Sequence, residues 1–393
     1  MRNVVGKPVT GTNFFGREHE LDELDEITRE EHVLLLAPRR VGKTSLLFAL
    51  GAKVSQERSA TGVYVSVAAA TSELQFVRSV LQAIYATRPG RRLKPNAIAA
   101  WLRRHGRRLK GVKLAGSGVD LEGAAAPEWQ EEADQVFAAI AATGAPWLIM
   151  IDELPTLVLL LARQDPQGTR VRAFLQWFRN LRQLPGSAEH LRFVLAGSIG
   201  LDNVTRRHRL TDTINDLRDW RLGPFTRERA DRFLAELARG YQLALSPELR
   251  GAICDHAEWL IPYHLQVIFS ALREQCGART PPSPALLERA IEALLSRKAY
   301  FGYWDERLHD AFGAPDDDLA RAMLAACARD PRGATASALH QSIARQVPSP
   351  RDRVATAAWI LDVLGNDGYL IEEAGRSRFR SGLLRRYWLR QLA

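Results

Sequence analysis

Residues 33–44 join two patterns whose adjacency constrains the fold more than anything else in the chain. Val33-Leu34-Leu35-Leu36 is a continuous apolar run, fit for a strand buried on both faces. It passes directly into Ala37-Pro38-Arg39-Arg40-Val41-Gly42-Lys43-Thr44, and a helical pattern follows through about Lys53. A buried strand that enters a tight turn and then a helix belongs to a parallel sheet, whose neighbouring strands are reached only by crossovers. The rest of residues 30–225 keeps the same alternation. Apolar runs recur at 63–67, 147–151, 193–196 and 220–222, and helical periodicity is predicted over 71–85, 127–142 and 169–184. In the last of these the apolar stripe is Val171, Phe174, Leu175, Phe178 and Leu181, which leaves Arg172, Arg179 and Arg182 for a solvated face. The expectation is an α/β fold with a parallel sheet covered on both faces.

The turn carries a chemistry of its own. A phosphate-binding loop needs backbone N–H groups turned toward an anion, a helix N-terminus behind them, and a Gly-Lys-Ser/Thr ending. Gly42, Lys43 and Thr44 supply that ending, while Ala37 stands where the pattern has its first glycine. Lys43 is expected to bridge the β- and γ-phosphates of ATP, and the Thr44 hydroxyl to ligate Mg2+. Ala37 through Thr44, with Ser45 next in the helix, form the candidate phosphate site.

About a hundred residues on, four apolar strand residues, Leu148 to Ile151, are followed by Asp152 and Glu153. An acid at a strand end can hold the magnesium, which is the role expected of Asp152. The acid beside it can orient or deprotonate the attacking water, which makes Glu153 the candidate base. A third strand ends in Ala196-Gly197-Ser198, where Ser198 is expected to sense the γ-phosphate. Phosphoryl transfer also calls for a positive charge on the developing γ-phosphate. Arg206, Arg207, Arg209, Arg218 and Arg221 follow, and Arg218 is taken as the finger acting on a neighbouring subunit.

The texture becomes helical after Pro224. Four helices are expected over 227–239, 246–256, 259–273 and 283–295. Three more, over 316–328, 336–345 and 349–364, precede two short strands around a turn at Ala374-Gly375, the pattern of a winged helix. In the third, Val354, Ala357, Ile360, Leu361 and Leu364 form the core stripe. The expected organisation is a core over 1–225 with a basic insertion at about 88–126, a lid over 226–300 and a winged helix over 310–393.

A net charge of +9 is concentrated in two stretches. Between Arg88 and Lys113 stand ten Lys/Arg and no acid, and between Arg376 and Arg390 six arginines and no acid. Such patches suit a polyanion, so nucleic acid is the expected partner. Arg376, Arg378 and Arg380, alternating on the wing, would hold phosphates while the helix over 349–364 enters the major groove. The three cysteines, Cys254, Cys276 and Cys327, have no metal-ligand spacing and read as reduced thiols. The most apolar stretch, 147–162, is broken by Asp152, Glu153 and Pro155. No membrane partner is expected, and a cytoplasmic location is.

With these residues in place, the sequence resembles the archaeal-type ATPases of the AAA+/STAND group, relatives of origin-recognition ATPases. Phe14-Phe15-Gly16-Arg17-Glu18-His19-Glu20-Leu21 is similar to their N-terminal FxGRExEL box, and Leu222-Gly223-Pro224-Phe225 to their strand exit into the lid. Ile261-Pro262-Tyr263-His264-Leu265-Gln266 is similar to the GxPYYLQ lid motif, with Leu260 at the glycine position. Phe379 to Trp388 looks like the family's C-terminal tail. The resemblance spans nearly the whole chain. It implies that Phe15, Gly16 and Arg17 pack beside the adenine, and that Pro262 lies near the nucleotide. The expected function is a slow ATPase acting as a switch with nucleic acid, with an ATP-dependent homo-oligomer as a further partner. The alternative is a signalling or scaffold ATPase that binds a protein effector without touching DNA.

Overall fold

The computed structural model describes residues 1–58, 60–92, 128–184, 187–197, 201–276 and 280–392. Ser198 and most of the basic stretch from Arg88 to Lys113 lie outside them. The chain forms two compact units. One comprises His19–Leu36 and Leu46–Arg221, the other Met1–Glu18, Ala37–Ser45 and Leu222–Ala393.

The first unit is the expected α/β layer. Helix α1 (Glu18–Glu30) leads into β1 (His32–Leu36), and α2 (Lys43–Glu57) precedes β2 (Thr61–Ser66) and α3 (Glu73–Ala86). Helix α4 (Glu128–Ala141), β3 (Trp147–Asp152), α5 (Leu154–Gln164), α6 (Thr169–Gln183), β4 (Leu191–Gly197), α7 (Leu201–Arg207) and β5 (Leu217–Arg221) follow. The strands form one sheet in the order β2-β3-β4-β1-β5, and every neighbouring pair is parallel. All six residues of β3 are buried, which is why its sequence shows no alternation. Phe76, Phe174, Trp177 and Phe178 stack edge to face against the sheet, with Phe178 5.4 Å from Phe193. Burial of each such ring contributes about 2–3 kcal/mol.

Two expectations need correction here. Arg182 does not belong to a solvated face. It is buried and grips Asp216 at 2.7 and 2.8 Å while donating to the Thr213 carbonyl, because the acid that neutralises it comes from a distant turn. Helix α5 is an unforeseen element: its apolar residues continue those of β3 and hide the change of period.

The second unit is mostly helical. It contains α8 (Arg227–Gly240), α9 (Pro247–Ala257), α10 (Pro262–Gln275), α11 (Pro284–Ser296), α12 (Lys298–Phe312), α13 (Asp316–Arg329), β6 (Ala334–Thr335), α14 (Ala336–Ser342), α15 (Pro350–Asp367), β7 (Leu370–Glu373), β8 (Arg376–Phe379) and α16 (Gly382–Leu392). Thr226, Ser246, Ser283, Thr335 and Ser349 cap their helices by accepting an N–H of the first turn, so the boundaries follow local chemistry. The three short strands form an antiparallel sheet in the order β6-β8-β7. Val354 departs from the expected core stripe of α15. It is 53% exposed, whereas Ala357, Ile360 and Leu364 are buried. The buried stripe starts one turn later than the pattern suggests. Among the described residues no helix is long and apolar enough to cross a membrane.

Each unit buries a histidine. His32 of β1 accepts the Phe193 N–H at 3.2 Å, and burial followed by the charge of Arg182 lowers its pKa to about 4. His264 of α10 is fully buried, and desolvation lowers its pKa likewise to about 4. A depressed folded-state pKa gives stability that is fully present above the unfolded value of 6.5 and is lost as pH falls toward 4. The loss is about 3 kcal/mol for each histidine at the acid end of that window. Urea melts at pH 7 and pH 4.5 should differ by most of this amount, and His264→Leu should reduce the difference. Equal midpoints at both pH values would contradict neutral burial.

Candidate phosphate site

Three strand ends prepare the site within the parallel sheet. In register, Asp152 of β3 lies opposite Ala196 of β4, and Leu36 of β1 opposite Gly197. The carboxyl ends of β1, β3 and β4 therefore share one edge of the sheet, with β1 and β4 adjacent and their onward connections running in opposite directions, to β2 and to β5. Ligands of open parallel sheets bind at that position. The Asp152 carboxylate is 2% exposed and is fixed from two sides, by the Tyr64 hydroxyl at 3.2 Å and the Glu153 N–H at 3.0 Å. Glu153 occupies the left-handed region, φ 64 and ψ 26, at the N-cap of α5. Its carboxylate accepts the Thr156 hydroxyl at 3.1 Å. A non-glycine residue held in this conformation costs about 1 kcal/mol or more, and such strain clusters at functional positions.

Arg218 is exposed on edge strand β5 and pairs with Val33. It lies three residues before Arg221, which sits beside Leu36 at the carboxyl edge. Three residues of strand amount to about 10 Å. Arg206, Arg209 and Arg221 are also exposed.

In the helical unit, the loop that continues β1 holds two left-handed residues, Arg40 at φ 67 and Gly42 at φ 105. The Gly42 value lies beyond what a side chain tolerates, so glycine is required there. Alternation of this kind turns successive N–H groups inward and makes an anion-binding concavity. Ala37, Val41, Lys43 and Ser45 are buried, and the Ser45 hydroxyl accepts the Val9 N–H at 3.0 Å. The Arg39 guanidinium donates to the Tyr303 hydroxyl and lies over that ring. Arg40 donates to the Gly6 carbonyl at 3.2 Å and lies over Tyr263 and Tyr303.

Phe15, Gly16 and Arg17 also take defined places. Phe15 meets Phe233 with tilted rings at 5.8 Å, and the Gly16 N–H donates to Glu18 at 3.0 Å. Arg17 is 4% exposed, sits over the Phe225 ring, and donates to the carbonyls of Gly223 at 2.7 Å and Val41 at 3.4 Å. It is a tie between the phosphate loop and the strap entering α8. Pro262 opens α10, where its missing N–H is no loss. Tyr303 and Tyr263, which hold the loop arginines, were not sequence candidates. Tyr263 stands in the sequence only as one residue of the Ile261-Pro262-Tyr263 motif, and nothing local marks Tyr303.

The arginines from Arg376 to Arg390 are all occupied inside the protein. Arg376 binds Asp330 and the Gly333 carbonyl, and Arg378 binds Glu373. Arg380 donates to the Leu370 and Gly365 carbonyls, and Arg385 to that of Ala328. Arg386 and Arg390 both reach Glu292 of α11. This basic run is first of all a clasp that fastens β8 and α16.

No protein-family model matches the sequence, and neither does any curated protein. Solved structures do. A Walker-type ATPase of Pyrococcus abyssi aligns over 98% of this chain and 99% of its own, with a TM-score of 0.61 at 15% identity. The Aeropyrum pernix ORC2 protein, solved in ADPNP–ADP complexes, aligns over 100% and 98% with a TM-score of 0.49 at 12% identity. By the first of these likenesses the chain has the fold of a Walker-type ATPase.

Proposed function

We propose that the protein is an ATP-binding, ATP-hydrolysing switch of the AAA+/STAND type that acts with nucleic acid. The observation that carries the ATP reading is the loop itself: left-handed Arg40 and Gly42 followed by Lys43 and Thr44 at the start of a helix, in direct continuation of a central parallel strand. A buried, hydrogen-bonded Asp152 at the end of β3 fits a magnesium-holding role, and Thr44 is the second residue proposed for it. Bound magnesium would offset phosphate charge, Lys43 would hold the β- and γ-phosphates, and Glu153 would orient the water and accept its proton. Ser198 as γ-phosphate sensor, Arg218 as a finger offered to a neighbouring copy in an ATP-dependent oligomer, and Phe15 and Pro262 beside the base complete the reading. In it, residues 226–300 act as the lid, residues 310–393 as a winged helix, and the cytoplasm is the site of action.

The nucleic-acid part rests on the stretch from Arg88 to Lys113, with ten basic residues and no acid. The arginines of the C-terminal run add little, since their hydrogen bonds are spent internally. A second reading, a protein effector docked on α15, is favoured by the exposed face of that helix. Val354, Ala355 and Ala358 are flanked there by Asp352 and Asp362 with Arg351 at the helix start, a face with little net positive charge to hold phosphate.

Two measurements test the proposal. Calorimetry should show one ATP bound per chain, with Mg2+ strengthening the binding. Gel shifts at 50 mM salt should show binding to DNA that weakens steeply toward 200 mM. Absence of ATP binding would end the switch reading. ATP binding without any DNA complex, single- or double-stranded, would favour the protein effector.

A further inference from the structure

The phosphate loop is tied to the end of α15 by two routes within the helical unit. One is direct. Gly368, in the left-handed region at φ 91, closes α15, and a Cβ placed on it would lie 3.1 Å from Cβ of Pro38 and 2.5 Å from the Trp259 ring. The other runs through α12. Tyr303 receives the Arg39 hydrogen bond and lies beneath the guanidinium of Arg40. Its neighbour Trp304 accepts the Tyr369 hydroxyl on its carbonyl at 2.5 Å and meets the Tyr369 ring edge-on at 4.9 Å. One turn further, Arg307 stands 3.6 Å from Asp367, and both side chains are at least 95% buried. Asp367, Gly368 and Tyr369 thus fasten the end of α15 to the helix that holds the loop arginines. The charges of Asp367, Arg307 and Arg39 all bear on the buried Tyr369 phenol, whose pKa is raised, chiefly by desolvation.

The arginines of a phosphate loop are drawn to phosphate oxygens by charge-assisted bonds, which are stronger than a bond to a neutral phenol or a contact with a ring face. We propose that Tyr303 is a positioning residue for the phosphate loop and that Arg39 changes partner with nucleotide. Arg39 is bonded to Tyr303 without ATP and turned to the phosphates with it, so that α12 and the end of α15 loosen when ATP binds. This deepens the reading that the loop binds ATP and rests on it. A ligand shifts such an equilibrium only by its difference in affinity for the two states, and Arg39 supplies that difference. The latched state also weakens apparent ATP affinity, because only the unlatched fraction binds.

The test uses the full-length chain, with calorimetry of ATP·Mg2+ and hydrogen exchange of the amides over 298–308 and 363–370. In the wild type, ATP should speed exchange in both segments. Tyr303→Phe keeps the ring and removes the hydroxyl. It should bind ATP about 5- to 10-fold more tightly, with fast exchange in both segments before ATP is added. Arg39→Gln should still bind ATP through Lys43 while the exchange response disappears. If Tyr303→Phe does not melt cooperatively, Arg39→Gln alone decides the matter: a wild-type response retained in it overturns the proposal. Wild-type ATP binding with no exchange change, or weaker binding in Tyr303→Phe, overturns it as well. No ATP binding to the wild type would overturn the ATP reading itself, a distinct failure.

Discussion

Lys43→Ala is expected to weaken ATP binding about 100-fold or more, beyond what calorimetry reads at ordinary concentrations. The ammonium is nearly buried at the first turn of α2, and in the proposed site it bonds two phosphates. Each charge-assisted bond is worth about 1.5–3 kcal/mol, and 1.4 kcal/mol is tenfold in affinity. Folding should not suffer. A positive charge at a helix N-terminus opposes the helix dipole, so its removal leaves the ATP-free melting temperature equal or slightly higher. Wild-type and variant affinities within threefold of each other would show that the loop does not hold the phosphates.

Glu153→Gln is expected to keep ATP affinity and lose about 100-fold or more in turnover, the usual contribution of a positioned general base. The backbone conformation offers a second and sharper variant. Glycine relaxes a left-handed residue, so Glu153→Gly should raise stability by about 1 kcal/mol while turnover falls as far as in Glu153→Gln. A more stable and inactive protein would separate the strain from the chemistry. Unchanged hydrolysis in Glu153→Gln, measured as phosphate release with ATP in excess, would remove Glu153 from the role of base.

The sheet was legible in the sequence because buried parallel strands write themselves as unbroken apolar runs. The four helices of residues 227–296 were legible too, because Thr226, Ser246 and Ser283 cap three of them and Pro262 opens the fourth. Helix α5 was hidden by the apolar residues it shares with β3, although Pro155 in its first turn was an available signal. Helix α12 was hidden for another reason. Its buried Phe301, Trp304 and Leu308 do fall at helical spacing, but Tyr300, Gly302 and Tyr303 beside them are not charged, and the polar residues that would set the stripe off begin only at Asp305. The loop's motif was readable in the sequence, but its aromatic partners were not, since they come from more than two hundred residues away. The same holds for the basic C-terminal run. Charge is visible in a sequence, whereas the carbonyls and carboxylates that absorb it become visible only in the fold.

The division of the chain into units has a consequence for biosynthesis. The phosphate loop, residues 37–45, is grouped with residues 222–393 rather than with the strands that flank it in sequence. Tyr263 and Tyr303 emerge from the ribosome more than two hundred residues after Arg39 and Arg40, and Gly368 later still. Chains grow at about 5–20 residues per second, so the loop waits on the order of ten seconds for the helices that support it. A nascent chain can complete its parallel strands well before residues 37–45 are braced.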